Sequence, residues 1–126
     1  MSAKHVLIVD DFPVMRKIIV NNLQQISSCK ISEASDGEEA LAKLQSETFD
    51  LLITDWNMPK LSGLDLVKKL KADPKLAKLP ILMVTAESKK EQIVVAAKAG
   101  VNGYILKPFT PETLKEKLTK MKFEFN

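Results

Sequence analysis

Four short polar stretches in this sequence carry residue types able to handle a metal ion or a phosphate: Asp10-Asp11, Asp55, Thr85 and Lys107-Pro108. Each one closes an apolar run. Asp10-Asp11 follow Val6-Leu7-Ile8-Val9, Asp55 follows Leu51-Leu52-Ile53-Thr54, Thr85 follows Ile81-Leu82-Met83-Val84, and Lys107 follows residues 103–106. Three carboxylates brought together repel one another, so either some take up protons or a cation neutralises them. Oxygen ligands without His or Cys favour a hard cation, Mg²⁺ above all, which keeps several waters and leaves positions for phosphate oxygens. Lys107 adds a compact positive charge and Thr85 a hydroxyl donor. The set suits a carboxylate that attacks phosphorus while cations stabilise the equatorial oxygens.

Taken singly, each residue has a plainer explanation. A lone Asp at a strand end usually caps a helix or closes a turn, and Asp11 can cap the helix that follows. Lys-Pro is a common dipeptide. The chemical reading rests on all four strand ends converging.

The apolar runs are continuous rather than alternating, as expected of strands buried on both faces of a parallel sheet. Strands are expected at 5–9, 30–34, 50–54, 80–84 and 103–106, and helices at 13–26, 37–46, 63–72, 89–99 and 111–122. Pro13 suits a first helical position. Met15, Ile18, Ile19, Leu23 and Ile26 fall near one face of the first helix, and Leu114, Leu118 and Met121 form a stripe on the last. Ser35 with Glu38, and Ser88 with Glu91, have capping-box spacing. Thr110-Pro111 marks the last helix start, and Gly100 a stop for the fourth. Five β/α units with right-handed crossovers make an open α/β sheet with helices on both faces. Such sheets bind ligands beyond the carboxyl ends of their strands.

The chain has 126 residues, net charge +3 and 45% hydrophobic residues, which fits a single domain spanning 1–126 with enough core to fold unaided. The lone Cys29 cannot pair within the chain, so a reducing compartment and an inert thiol are expected. No apolar run approaches the roughly 20 residues of a membrane span, and Val6–Val9 is too short for a signal-peptide core, so a cytoplasmic protein is expected. The lysines are scattered beside acids, which argues against a nucleic-acid surface.

These residues resemble the response-regulator receiver family over about residues 4 to 122. Val6-Leu7-Ile8-Val9-Asp10-Asp11 is similar to the family's first strand and acidic pair. Asp55 lies at its phosphoacceptor position, Thr85 at its switch hydroxyl and Lys107 at its lysine. Asp55-Trp56-Asn57-Met58-Pro59, Met83-Val84-Thr85-Ala86-Glu87 and Gly103-Tyr104 with Lys107-Pro108-Phe109-Thr110 resemble the chemotaxis branch. Two features depart from that branch: Pro13 stands where Ser or Thr is more common, and Ser27-Ser28-Cys29-Lys30 lacks the usual glycine and aromatic pair.

The resemblance implies a flavodoxin-like (βα)5 fold with strand order 2-1-3-4-5. It implies Mg²⁺ held by Asp11, Asp55 and the Asn57 backbone carbonyl, with Asp10 acting through water, and a cis Lys107-Pro108 peptide. It also implies a phosphoryl-dependent switch through Thr85, Lys107 and Tyr104, read out on a face bearing Lys90, Tyr104 and Lys117. The implied partners are a chemotaxis histidine kinase, the flagellar motor switch protein and, optionally, a dedicated phosphatase, with the chain a monomer. It would be a phosphoacceptor that catalyses its own phosphorylation and dephosphorylation, not an enzyme acting on other molecules. A phosphate sink or phosphorelay intermediate is an alternative. So is a Mg²⁺-dependent aspartyl-phosphate phosphatase, although Asn57 stands where that class usually has a second Asp.

Overall fold

The computed structural model describes residues 4–86 and 88–125. Strands and helices alternate: β1 (His5–Val9), α1 (Pro13–Ile26), β2 (Lys30–Ala34), α2 (Gly37–Ser46), β3 (Leu51–Thr54), α3 (Gly63–Ala72), β4 (Ile81–Thr85), α4 (Lys90–Ala99), β5 (Gly103–Leu106) and α5 (Pro111–Lys120). The five strands form one parallel sheet of order β2-β1-β3-β4-β5. Both match the expectations from sequence, with strand and helix ends shifted by at most two residues.

The sheet is covered on both faces. Alternate residues of each central strand point to opposite sides, as the pleat requires. Leu7, Val9, Leu52, Ile81 and Met83 pack with Leu44, Leu66, Leu70 and Ala96 of α2, α3 and α4. Val6, Ile8, Ile53, Leu82 and Val84 pack with Ile19, Leu23, Leu114 and Leu118 of α1 and α5. Each fully buried Leu or Ile contributes about 1.5–3 kcal/mol. β1, β3 and β4 are buried throughout, whereas edge strand β2 carries Lys30, Ser32 and Glu33, which discourage pairing with other chains.

Three local expectations need correction. Asp36, not Ser35, caps α2, accepting from the Glu39 N–H at 2.8 Å. The partner acid is therefore Glu39 rather than Glu38, and its carboxylate accepts from the Ser35 N–H at 2.6 Å. α4 starts at Lys90 after Lys89, with no side-chain cap, so Ser88 and Glu91 form no capping box. Ile18 is 41% exposed, because the buried face of α1 runs through Ile19, Val20 and Leu23. By contrast, Thr110 caps α5, Gly100 ends α4 at φ 112°, and Pro13 opens α1.

Candidate functional site

Sheet order decides which side chains meet. β1 lies between β2 and β3, so the acidic pair after β1 is adjacent to Asp55 after β3. The Asp55 N–H continues that ladder, donating to the Val9 carbonyl at 3.0 Å. Asp10, Asp11 and Asp55 each offer a carboxylate oxygen, all within 4.8 Å of one another. Asp10 is wholly buried and Asp55 nearly so, while Asp11 is exposed. Asp11 does not cap α1; the N-cap is Phe12, with no side-chain bond.

Lys107 comes from the far side of β4. Its ammonium donates to Asp10 Oδ2 at 2.8 Å and to Asp55 Oδ2 at 3.1 Å. Backbone amides take the other oxygens: the Phe12 N–H donates to Asp10 Oδ1 at 2.9 Å, and the Trp56 N–H to Asp55 Oδ1 at 2.7 Å. Burial pushes the Asp55 carboxyl above its usual range; Lys107 pulls the other way, and the Asp10 charge adds to the rise. For Lys107, burial works against the charged form, but its bonds to Asp10 and Asp55 outweigh it and raise the ammonium. Two buried carboxylates with one ammonium leave negative charge in excess, and the third carboxylate adds to it. An all-oxygen set of this kind fits a hard divalent cation.

Thr85 ends β4 between them, 1% exposed, and its carbonyl accepts the Lys107 N–H at 3.0 Å. The Lys107-Pro108 peptide is cis. Asn57 lies two residues past Asp55, exposed in the loop to α3. That loop returns tightly: the Gly63 N–H donates to the Trp56 carbonyl at 2.7 Å, and a Cβ on Gly63 would lie 1.9 Å from the Asp55 carbonyl oxygen.

The proposed output residues lie on a different face. Tyr104 is half-buried on β5, and with Ile93, Leu106, Phe109 and Lys117 it lines a groove of about 460 Å³ between α4 and α5. Lys90 is exposed at the first residue of α4 and does not line that groove. Glu87, part of the switch-like segment, lies outside the described residues. Cys29 is half-buried, and burial pushes its thiol up.

Sequence reasoning missed the Phe12 and Trp56 amides, which carry no side-chain signal. It also missed Arg16, although this is the chain's one arginine among 19 Lys and Arg. Its guanidinium donates to the Asp10 carbonyl at 2.7 Å.

An open parallel sheet with acids, a hydroxyl and a lysine at successive strand ends defines a class, and the comparisons with known proteins agree. Residues 6–119 match the response regulator receiver domain, and the chain belongs to that family. It is 54% identical over 116 residues to the chemotaxis protein CheY of Pseudomonas aeruginosa, covering 92% of this chain and 94% of that one. It is 55% identical over 116 residues to CheY-3 of Vibrio cholerae, covering 92% and 89%. Among solved structures, Vibrio cholerae CheY4 superimposes with a TM-score of 0.87 at 37% identity, covering 95% of this chain and 99% of that one. A putative response regulator from Chloroflexus aurantiacus gives 0.88 at 31% identity, covering 94% and 96%. The chain is thus a CheY-like receiver domain. Among the described residues no helix is long and apolar enough to cross a membrane.

Proposed function

We propose that this chain is a chemotaxis response regulator that accepts a phosphoryl group on Asp55 from a histidine kinase and then binds the flagellar motor switch more tightly. The observation that carries the reading is the Lys107 ammonium bridging Asp10 and Asp55 in a cluster of three carboxylates. In the transfer, an Asp55 oxygen forms a bond to phosphorus as the donor's N–P bond breaks, and the electron pair returns to the imidazole nitrogen. Asp11, Asp55 and the Asn57 carbonyl would hold Mg²⁺, with Asp10 acting through water; the ion supplies positive charge to the phosphoryl oxygens. Lys107, which donates to Asp55 Oδ2 at 3.1 Å, would meet the phosphoryl oxygens as a second cation. The chain is a phosphoacceptor that catalyses its own phosphorylation and dephosphorylation, working in the cytoplasm as a monomer.

The output step is part of the same proposal and extends the family resemblance. New charge on Asp55 attracts the Thr85 hydroxyl and Lys107, and Tyr104 turns toward the space left beside β4. The groove between α4 and α5, with Leu106, Val94 and Val95 each 42% exposed nearby, offers an apolar seat for a helical segment. Lys90 and Lys117 favour an acidic one. A phosphoryl group shifts this equilibrium only by its differential affinity, about 1–3 kcal/mol in typical couplings.

Incubation with acetyl phosphate and Mg²⁺ tests the acceptor step. One phosphate per chain, absent in Asp55→Asn, supports it; sustained turnover points instead to a phosphatase. Affinity for a motor-switch peptide, with and without beryllofluoride, tests the output. A gain of about 5–150-fold is expected. No gain, with Asp55 occupied, favours a phosphate sink.

A further inference from the structure

The acidic pair is braced from behind. Arg16, in the first turn of α1, reaches back with a forked grip. Nη1 donates to the Asp10 carbonyl at 2.7 Å, and Nε donates to Glu33 Oε1 on β2 at 2.9 Å. Arg16's own N–H donates to the Phe12 carbonyl at 2.9 Å, and the Asp10 N–H donates to the Ala34 carbonyl at 3.2 Å. One guanidinium thus ties β1, β2 and α1 together around the turn that carries the acids. Its side chain is 19% exposed and that of Glu33 is 47% exposed.

The atom gripped matters. The Asp10 carbonyl belongs to the peptide joining Asp10 to Asp11. Asp10's carboxylate is buried and bonded through both oxygens, whereas Asp11's is exposed, with no side-chain hydrogen bond among the described residues. The direction of Asp11 therefore depends on the rotation of that peptide about its flanking backbone bonds. Holding that peptide holds the Cα–Cβ direction from which the Asp11 carboxylate comes within 4.8 Å of oxygens of Asp10 and Asp55.

We propose that Arg16 is a positioning residue for the acidic site, fixing the Asp10–Asp11 peptide so that Asp11 is pre-aimed to complete an oxygen set for a divalent cation. The inference rests on the reading of Asp10, Asp11 and Asp55 as a Mg²⁺ site. A lysine in the same place is a single point charge and cannot serve a carbonyl and a carboxylate through two fixed N–H vectors. An Arg–Glu pair at the surface by itself contributes little to stability and would be indifferent to metal. Groups that orient metal ligands commonly govern affinity by about 10–100-fold.

The test uses wild type, Arg16→Gln and Arg16→Lys, with two readouts. Calorimetric Mg²⁺ titration should show affinity weaker by about 10-fold in Arg16→Gln and by less in Arg16→Lys. Amide exchange measured without metal should quicken at Phe12 and Asp10 in both variants, while amides of α5 keep their wild-type rates. Should wild type bind no Mg²⁺, the metal reading fails, and the exchange pattern alone decides whether Arg16 braces the turn. Wild-type affinity together with wild-type exchange at Phe12 and Asp10 overturns the proposal. So does uniform acceleration across the whole chain, which would make Arg16 an ordinary stability contact; the milder Arg16→Lys keeps the test readable if Arg16→Gln folds poorly.

Discussion

Asp55→Asn exchanges a carboxylate for an amide of nearly the same shape, at a point where two buried carboxylates share one ammonium and a third lies close by. At an effective dielectric of about 20, oxygens of Asp10 and Asp55 no more than 4.8 Å apart repel by at least about 3 kcal/mol when both are charged. Lys107 at 3.1 Å from Asp55 attracts by about 5 kcal/mol on the same scale. Removing a carboxylate from water costs several kcal/mol more. The balance falls on the unfavourable side, because burial, with Asp10, holds the Asp55 carboxyl above its ordinary range in spite of Lys107 and the Trp56 N–H. The amide removes the burial cost of the charge and the repulsion. It still accepts a hydrogen bond and leaves Lys107 paired with Asp10 at 2.8 Å. Asp55→Asn should therefore be more stable than wild type by about 1 kcal/mol at neutral pH without metal, within the range of about 0.5–2 kcal/mol for single stabilising changes.

The pH dependence fixes the sign. A folded-state pKa above the unfolded value means that the folded protein holds the proton more tightly. This group's stability is fully present below the unfolded pKa of about 3.9 and is lost as pH rises through the folded pKa. The advantage of Asp55→Asn should be largest at neutral pH and close as pH falls toward about 4. Urea unfolding at a series of pH values, in chelator, measures it. A variant less stable than wild type at pH 7, or a gap that widens on acidification, would refute the balance of terms. Magnesium supplies a further check: at about 100 times its Kd it should stabilise wild type by about 2.7 kcal/mol and reverse the order.

Lys107→Met leaves Asp10 and Asp55 buried together without a cation, so urea unfolding at pH 7 should show a loss of about 3 kcal/mol. Gly63→Ala drives a methyl group into the Asp55 carbonyl, 1.9 Å away; a loss of about 3 kcal/mol is expected by thermal unfolding, with slower phosphorylation because the acceptor's own backbone must move. Lys122 sits at φ 61° just past α5, so Lys122→Gly should raise the urea midpoint, gaining about 0.5–1 kcal/mol from relieved left-handed strain.

The strands were legible because β1, β3 and β4 are buried on both faces, so their apolar runs have no polar interruption until the residue that ends them. That same rule exposed Asp10, Asp55 and Thr85. Caps were harder. Ser35 and Asp36 are both good N-cap residues, and only the backbone path, extended at Asp36, chooses between them. The fourth helix has no side-chain cap, so its start within one residue of the expected position did not depend on the Ser88–Glu91 spacing. Ile18 looked like a core residue because its spacing fits the same wide stripe as Ile19 and Leu23, which are buried as expected; the buried face extends to Val20 instead and leaves Ile18 at its edge. Arg16 escaped notice because its two acceptors are a backbone carbonyl and a residue on a strand 17 positions away.

Strand spacing also explains which residue types occupy the site. Neighbouring strands lie about 4.8 Å apart, so short Asp side chains just past the ends of β1 and β3 can approach each other directly. β5 lies two spacings from β3, about 10 Å, with β4 between them. Only a long side chain can carry charge from the end of β5 to Asp55, and the Lys stem does so while its own N–H stays paired with the Thr85 carbonyl. β4 lies between β5 and β3, and its last residue is the buried Thr85. The ammonium thus crosses the strand whose hydroxyl is proposed to respond to phosphate. Anything that moves the end of β4 must also move the backbone anchor of the cation that holds Asp10 and Asp55 together.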